Sequence, residues 1–257
     1  MKQKQNQNYI LTWLTWIFIL VIWLILSHVG EINITKLPTP ENVLKQAASL
    51  CFNGYNNIPL WHHIGISLLR LSVAISAALI TAIPLGLLCG YFSKLQAVIG
   101  SVVDFIKPLP PLAYYTLLII WLGIDEESKV ALLFIAAFAP IFVSAASSVS
   151  RVNLTYVLSA RSFGASTLQI FFKVILPATL PEIFVGIRTA VAVAYTTLVS
   201  AEMIAATAGI GWMVLDAYKY LKTDVVFVGI FIMGLTGMIL DIGLRKIESR
   251  FIFWGGK

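Results

Sequence analysis

The sequence predicts an all-α membrane protein with about six transmembrane helices. Two features of composition carry that prediction. Of the 257 residues 59% are hydrophobic and only 12% are charged, whereas soluble domains carry roughly 25% charged residues. Mean hydropathy is +0.88. The third observation is spacing: long uncharged runs recur between short polar connections, with room for about six spans of roughly 20 residues each.

The first candidate span, residues 9–29, carries no charge and contains Trp13, Trp16 and Trp23. It is too long and too rich in tryptophan for a cleaved leader, and no small-x-small site follows it, so it reads as a retained helix. Residues 30–69 form a long outer connection. Within it Pro38, Thr39 and Pro40 are extended, and residues 41–50 place Val43, Leu44, Ala47 and Ala48 at the spacing of an interfacial or external helix. Arg70 is expected to open the second span, which runs to about Tyr91 through Pro84. The third, residues 97–122, is broken by Pro108, Pro110 and Pro111, because proline removes a backbone donor and kinks a helix. Residues 129–149 make the fourth span, with Pro140 inside it. Residues 177–206 make a long fifth and residues 225–244 the sixth. Residues 1–62 thus hold the first helix and external loop, and residues 63–250 the main transmembrane body.

Loop charge sets the orientation, because lysine and arginine are retained on the cytoplasmic side. The basic segments are the amino end (Lys2, Lys4), residues 94–107, residues 151–173 (Arg151, Arg161, Lys173) and the tail (Arg245, Lys246, Arg250, Lys257). They alternate with acidic or balanced connections around Glu31, Asp125 to Glu127, and Asp216 to Asp224. Both termini are therefore expected in the cytoplasm. The net charge of +6 is a topology signal, and basic residues scattered over short inner segments argue against a nucleic-acid partner.

Catalytic and metal motifs are missing. The sequence has no GxxxxGK[ST] loop, no HExxH and no CxxC, so any ATP that drives the process is hydrolysed by another chain. Cys51 and Cys89 are expected on opposite sides of the bilayer, and no disulfide is expected between them. His28, His62 and His63 fall at the outer side. Adjacent residues point about 100° apart on a helix, a poor metal arrangement, so the histidines read as interfacial polar groups beside Trp61.

Charges within spans call for a functional hypothesis. Glu182 and Glu202 are separated by roughly 30 Å of helix and should lie near opposite interfaces. Arg188, about 9 Å inward from Glu182, has two readings: a cation facing a path for an anion, or a packing residue bonded to carbonyls or a carboxylate. Tyr195, Thr196 and Glu202 join Arg188 as candidates for that path. Asp241 and Arg245, at i and i+4, are expected to pair.

Residues 157–177 are the most informative segment. Ser166 followed by Gln169 is a capping-box pattern, so a short helix should begin after a turn at Gly164 and Ala165. Leu168, Phe171 and Phe172 then form an apolar face, edged by Arg161 and Lys173. Such a face needs a cover, either the lipid interface or a protein partner.

The order Ala160, Gly164, Val174, Leu176, Pro177 resembles the cytoplasmic coupling loop of ATP-binding-cassette (ABC) importer permeases, whose signature spaces a glycine, an aliphatic residue and Leu-Pro in this way. Leu158 and Ser159 stand where that signature has Glu-Ala. PLPPLA (108–113), IWLGIDEESK (120–129), VILPATLPEI (174–183) and TLVSAEMIAATAGIG (197–211) are similar to the nitrate, sulfonate and taurine group, most closely to taurine permeases.

The resemblance implies a type I ABC importer permease fold, with an ABC type-1 transmembrane domain over residues 63–250. The coupling residues are then Ala160, Arg161, Gly164, Ala165, Ser166, Phe171, Val174, Leu176 and Pro177. It further implies a multi-pass protein of the bacterial inner membrane that binds no cofactor and is not an enzyme. Its partners would be a second copy of itself, two ABC ATPase subunits carrying ATP and Mg, an external substrate-binding protein and the lipid bilayer. Taurine or a related small sulfonate is the expected substrate, with other alkanesulfonates, nitrate and a pyrimidine precursor as alternatives. The rival class is a secondary transporter or channel for a small anion, which would carry inverted repeats and intramembrane ion ligands.

Overall fold

The structure, a computed structural model, describes residues 2–28, 37–252 and 254, with side chains from residue 11 onward. Helices α1 (Lys2–His28), α2 (Pro40–Asn53) and α3 (Leu60–Tyr91) lead into a bent pair, α4 (Ser93–Ile106) and α5 (Pro111–Leu122). Then follow α6 (Glu126–Ser150), α7 (Leu154–Ser162), α8 (Thr167–Ala205), α9 (Ile210–Lys219) and α10 (Thr223–Phe251). Five of these helices are long and apolar enough to cross a membrane, and α4 with α5 makes a sixth if taken as one broken span. That pair bends by 100° at the Pro108–Pro111 region, where the sequence placed the break.

Three boundaries differ from expectation. Arg70 does not open the second span: α3 begins at Leu60, and Arg70 is buried inside it. A lone charge on an apolar helix reads as an end unless its partners are known, and they lie far away in sequence. The outer connection therefore stops at residue 59, and the expected boundary at residue 62 falls in the first turn of α3. The expected short helix after Gly164 and the fifth span are one helix, because a π-helical stretch, Phe171–Ile175, carries α8 through without interruption.

The centre is built from small residues. On α3, Ala74, Ala78, Ala82, Gly86 and Gly90 recur every fourth position and form a seam against α6. A Cβ on Gly86 would sit 2.7 Å from Ala145 Cβ, and one on Gly90 would sit 2.4 Å from the Ala146 carbonyl oxygen. Gly186, Ala190 and Ala194 repeat the pattern on α8, where Gly186 lies against Ser144. Within a bilayer, apolar surface gains nothing by leaving lipid, so close backbone approach through small residues is what holds helices together.

At the end opposite α7, α2 is protein-packed rather than merely interfacial. Thr39 caps it, with Pro40 at its first position. Val43 and Leu50 are buried with Tyr55, Leu60, Met213, Ala217, Val225 and Val228. The Tyr55 hydroxyl donates to Asp216 Oδ2 at 2.9 Å. Burial, then that bond, pushes the phenol's pKa up, so this donor survives over the whole working pH range. Cys51 is exposed and Cys89 buried, both as free thiols.

If the α3–α6 seam depends on close approach, Gly86→Leu should destabilise the protein by about 1–3 kcal/mol in detergent thermal unfolding. Gly65→Leu, on the same helix with nothing within 4 Å of its Cβ, should be nearly neutral. Equal melting temperatures for the two variants would contradict this packing.

Candidate functional site

Three features are reached in turn by α8: an exposed helical hairpin, a cavity of mixed lining and a buried ionic cluster. The hairpin is formed by α7, a turn and the start of α8. Asn153 caps α7, accepting from the Thr155 N–H at 2.9 Å. Two crossed bonds close its far end, from the Gly164 N–H to the Arg161 carbonyl (2.9 Å) and from the Ala165 N–H to the Ala160 carbonyl (3.0 Å). Together with φ +78° at Gly164, these make a Schellman motif, which needs a left-handed residue at that position. Ser166 then opens α8 with the full capping box, its hydroxyl accepting from the Gln169 N–H while the Gln169 side chain accepts from the Ser166 N–H. Every backbone group of the turn is thereby fixed, and its apolar side chains have somewhere definite to point.

Phe163 is 91% exposed and Leu168 is 71% exposed; Leu154, Tyr156, Leu158 and Phe172 are exposed beside them. Phe171 points the other way. It is half-buried against Tyr91 and the central cluster, with Ile170 and Ile175 buried on either side. Of the other expected coupling residues, Arg161, Gly164 and Ser166 are exposed, while Ala160 and Ala165 at the turn, and Val174, Leu176 and Pro177 further along α8, are half-buried. The residue missed from the sequence is Phe163. Its signal was available, because an aromatic in a turn next to a glycine has no periodic face to join.

The cavity, about 680 Å³, opens between the α4–α5 elbow, α6 and α8. Its polar groups are Lys107, Tyr114, Ser144, Ser147, Arg151, Glu182 and Thr189, with Val185, Gly186 and Val193 completing the α8 wall. Arg151 Nη1 pairs with Glu182 Oε1 at 2.9 Å at the hairpin end. A second cavity of about 740 Å³ beneath α2 is lined by side chains such as Trp23, Val43, Leu60 and Ile232; an ion would lose its hydration there with little in return.

The ionic cluster closes the opposite end. Glu202 has no exposure. Its Oε1 accepts from Ser67 Oγ (2.6 Å) and Arg70 Nη1 (2.8 Å), and its Oε2 accepts from the Gly211 N–H (2.9 Å). Arg70 also grips Glu126 through Nε (2.5 Å) and Nη2 (2.7 Å), and donates to the Ala208 carbonyl at 2.9 Å. Lys129 Nζ lies 3.6 Å from Glu126. His63 is fully buried rather than interfacial; it accepts from the Gly209 N–H at 3.1 Å and stacks on Trp212. His62 is exposed. Glycines at 209 and 211 follow from crowding, since a Cβ on Gly209 would meet the Glu202 carboxylate at 2.4 Å and one on Gly211 would meet the Val199 carbonyl oxygen at 2.4 Å.

The four residues expected on a path do not share a wall. Arg188 binds Asp241 (3.1 Å) and Glu248 (3.5 Å), so of its two readings the geometry favours packing. Asp241 also holds Arg245 at 2.7 Å, the expected i, i+4 pair. The Tyr195 hydroxyl bonds the Met233 carbonyl and Thr236 across to α10. Glu202 is consumed by the cluster. Thr196 alone is exposed, about one turn beyond Val193 on the cavity stripe of α8.

The family described as binding-protein-dependent transport system inner membrane components matches residues 82–253. The taurine transport system permease protein TauC of Escherichia coli (strain K12) is 38% identical over 240 residues, covering 93% of this chain and 87% of its own length. The aliphatic sulfonates permease SsuC of Bacillus subtilis (strain 168) is 30% identical, covering 92% and 84% respectively. The nitrate import permease protein NrtB of Synechocystis sp. is 30% identical, covering 91% and 86%.

Because Glu202 and Arg70 are desolvated together, removing Arg70 leaves Glu202 a buried charge without its cation, and removing Glu202 leaves Arg70 to Glu126 and the Ala208 carbonyl alone. Glu202→Gln or Arg70→Met alone should cost about 3–5 kcal/mol, with the double variant losing less than the sum. Chemical denaturation in detergent reads this cycle; strictly additive losses would show that the two side chains do not depend on each other.

Proposed function

From the premise that the chain belongs to the inner-membrane components of binding-protein-dependent transport systems, in the nitrate, sulfonate and taurine ABC permease group, we propose that it imports taurine at the expense of ATP. Relatives in this group are named as permeases rather than enzymes. Two copies would pair about a two-fold axis, each offering its hairpin to a cytoplasmic ATPase subunit that carries ATP and Mg, with a substrate-binding protein on the opposite face. The single observation that carries the ATPase contact is the hairpin's fixed turn bearing exposed Phe163 and Leu168. Arg151, Arg161 and Lys173 lie on the same segment, and the excess of basic residues supports placing that end, with both termini, in the cytoplasm.

The mechanism follows from α8. This helix runs 39 residues without a break from the hairpin to Ala205, about 58 Å, passing the cavity wall at Val185, Thr189 and Val193 before reaching Glu202. A displacement at its docked end therefore moves the cavity wall as a lever does. ATP-driven closure of the ATPases would draw paired hairpins together and turn the cavity outward, and hydrolysis would reverse it. A small anion suits the cavity, because Lys107 and Arg151 outnumber the one lining carboxylate, Glu182.

Reconstitution with the ATPase and binding protein tests this reading: taurine should accumulate only when ATP is supplied inside the ATPase-bearing compartment. Accumulation driven by an ion gradient without the ATPase would instead favour a secondary transporter. Phe163→Asp should weaken ATPase retention roughly tenfold to a hundredfold, the equivalent of burying one such side chain. Gly164→Asn, which tolerates the left-handed backbone, should retain coupling, while Gly164→Val should lose it. No side chain or backbone lies within 4 Å of a Cβ at that position, so a loss reads the turn rather than internal crowding. Parental retention and ATPase stimulation in both Phe163→Asp and Gly164→Val would remove the hairpin from the contact.

A further inference from the structure

We propose that Arg151 and Glu182 form a filter at the hairpin end of the cavity that recognises a small aminosulfonate as a zwitterion, the sulfonate taking Arg151 and the ammonium taking Glu182. This rests on the reading of the cavity as the substrate path.

The pair is unusual in what it leaves unused. Glu182 presents Oε1 to Arg151, while Oε2 is buried without a hydrogen-bond partner. An unpaired buried acceptor costs free energy, and it is met best by a donor that arrives with the ligand. Arg151 caps the end of α6 and remains largely exposed, with one N–H engaged by Glu182; a guanidinium has five. The Glu182 carboxylate and the free donors of Arg151 thus stand side by side among the residues that line the cavity. Lys107, on the α4–α5 elbow, also lines the cavity and adds positive charge.

Exchange arithmetic separates the ligand classes. A simple alkanesulfonate or nitrate can use the free N–H groups of Arg151, but it brings a second negative charge beside Glu182 and no donor for it. A zwitterion uses the same free N–H groups and brings an ammonium to the carboxylate as well, so each member of the pair gains a counter-charge and charge balance is kept. No covalent step is involved. The pair also joins the residue just before α7 to one near the start of the membrane part of α8, so it ties together the two ends of the hairpin segment. Opening the filter is therefore mechanically linked to the ATPase contact.

Ser147, on the cavity wall one turn from Arg151, gives a reporter. In the purified permease–ATPase complex with Cys51→Ala, Cys89 being buried, Ser147→Cys should react with a small methanethiosulfonate reagent. Taurine should slow that reaction severalfold and ethanesulfonate less. Glu182→Gln should reduce protection by taurine to the level of ethanesulfonate, and Arg151→Gln should abolish protection by both. An unchanged ligand-free rate in each variant checks that the cavity is intact, and Glu182→Asp, which keeps the charge, should keep the preference for taurine. Equal protection by the two ligands in the parent, or taurine protection unaffected by Glu182→Gln, overturns the filter while leaving the path standing. No protection by either ligand in the parent overturns the path itself and the filter with it.

Discussion

A carboxylate buried among membrane helices must find its donors inside the protein, and Glu202 is the group on which this arrangement turns. Its oxygens are met by Ser67 and Arg70 from α3 and by the Gly211 N–H in the first turn of α9. Arg70 carries the constraint onward to Glu126 at the start of α6. One charge thus fixes the relative positions of α3, α6, α8 and the Gly209 turn. Glycine is forced where the backbone crosses the carboxylate. Such a cluster adds little net stability compared with a packed apolar alternative, but it admits one register and penalises every other.

The small-residue seams extend that register along the helices. Ala74 to Gly90 on α3 and Gly186 to Ala194 on α8 let α6 sit close to both neighbours, so the three helices behave as one packed body. The cavity opens on the side of α6 and α8 that faces the α4–α5 elbow, while Ser144 and Arg151 hold the two helices together at Glu182. A firm end at Glu202 and an open end at Arg151 suit a subunit moved by a partner at its open end. Only at the open end do the helices have room to change separation without breaking buried ion pairs.

Much of this was legible in the sequence, for identifiable reasons. Apolar run length located the spans, three clustered prolines located the break, and Ser166 with Gln169 located a helix start, because each signal is local. Arg70 was misplaced as a helix end, and its pairing with Glu202 was missed, because the two lie 132 residues apart and a charge without a visible partner is best read as solvated. Arg188 carried two readings, path cation or packing residue, and the sequence could not name the carboxylates, Asp241 and Glu248, that α10 brings beside it. Phe171 was read as part of an exposed face and Phe163 was not singled out: the amphipathic pattern gives a face, while only the packing on Tyr91 shows which way that face turns. The alanine and glycine ladder of α3 was present but unread, since hydropathy treats small residues as ordinary apolar ones.

The central claim is that the α7–α8 hairpin, and no other exposed apolar surface, meets the ATPase. Photocrosslinkers placed singly at Phe163 and Leu168, with Phe52 and Trp61 at the opposite end as controls, test it most directly in membranes holding the assembled transporter. The hairpin assignment predicts adducts with the ATPase subunit from positions 163 and 168 and none from 52 or 61. Adducts from the opposite end, or none from the hairpin in a complex that still hydrolyses ATP in response to substrate, would contradict it.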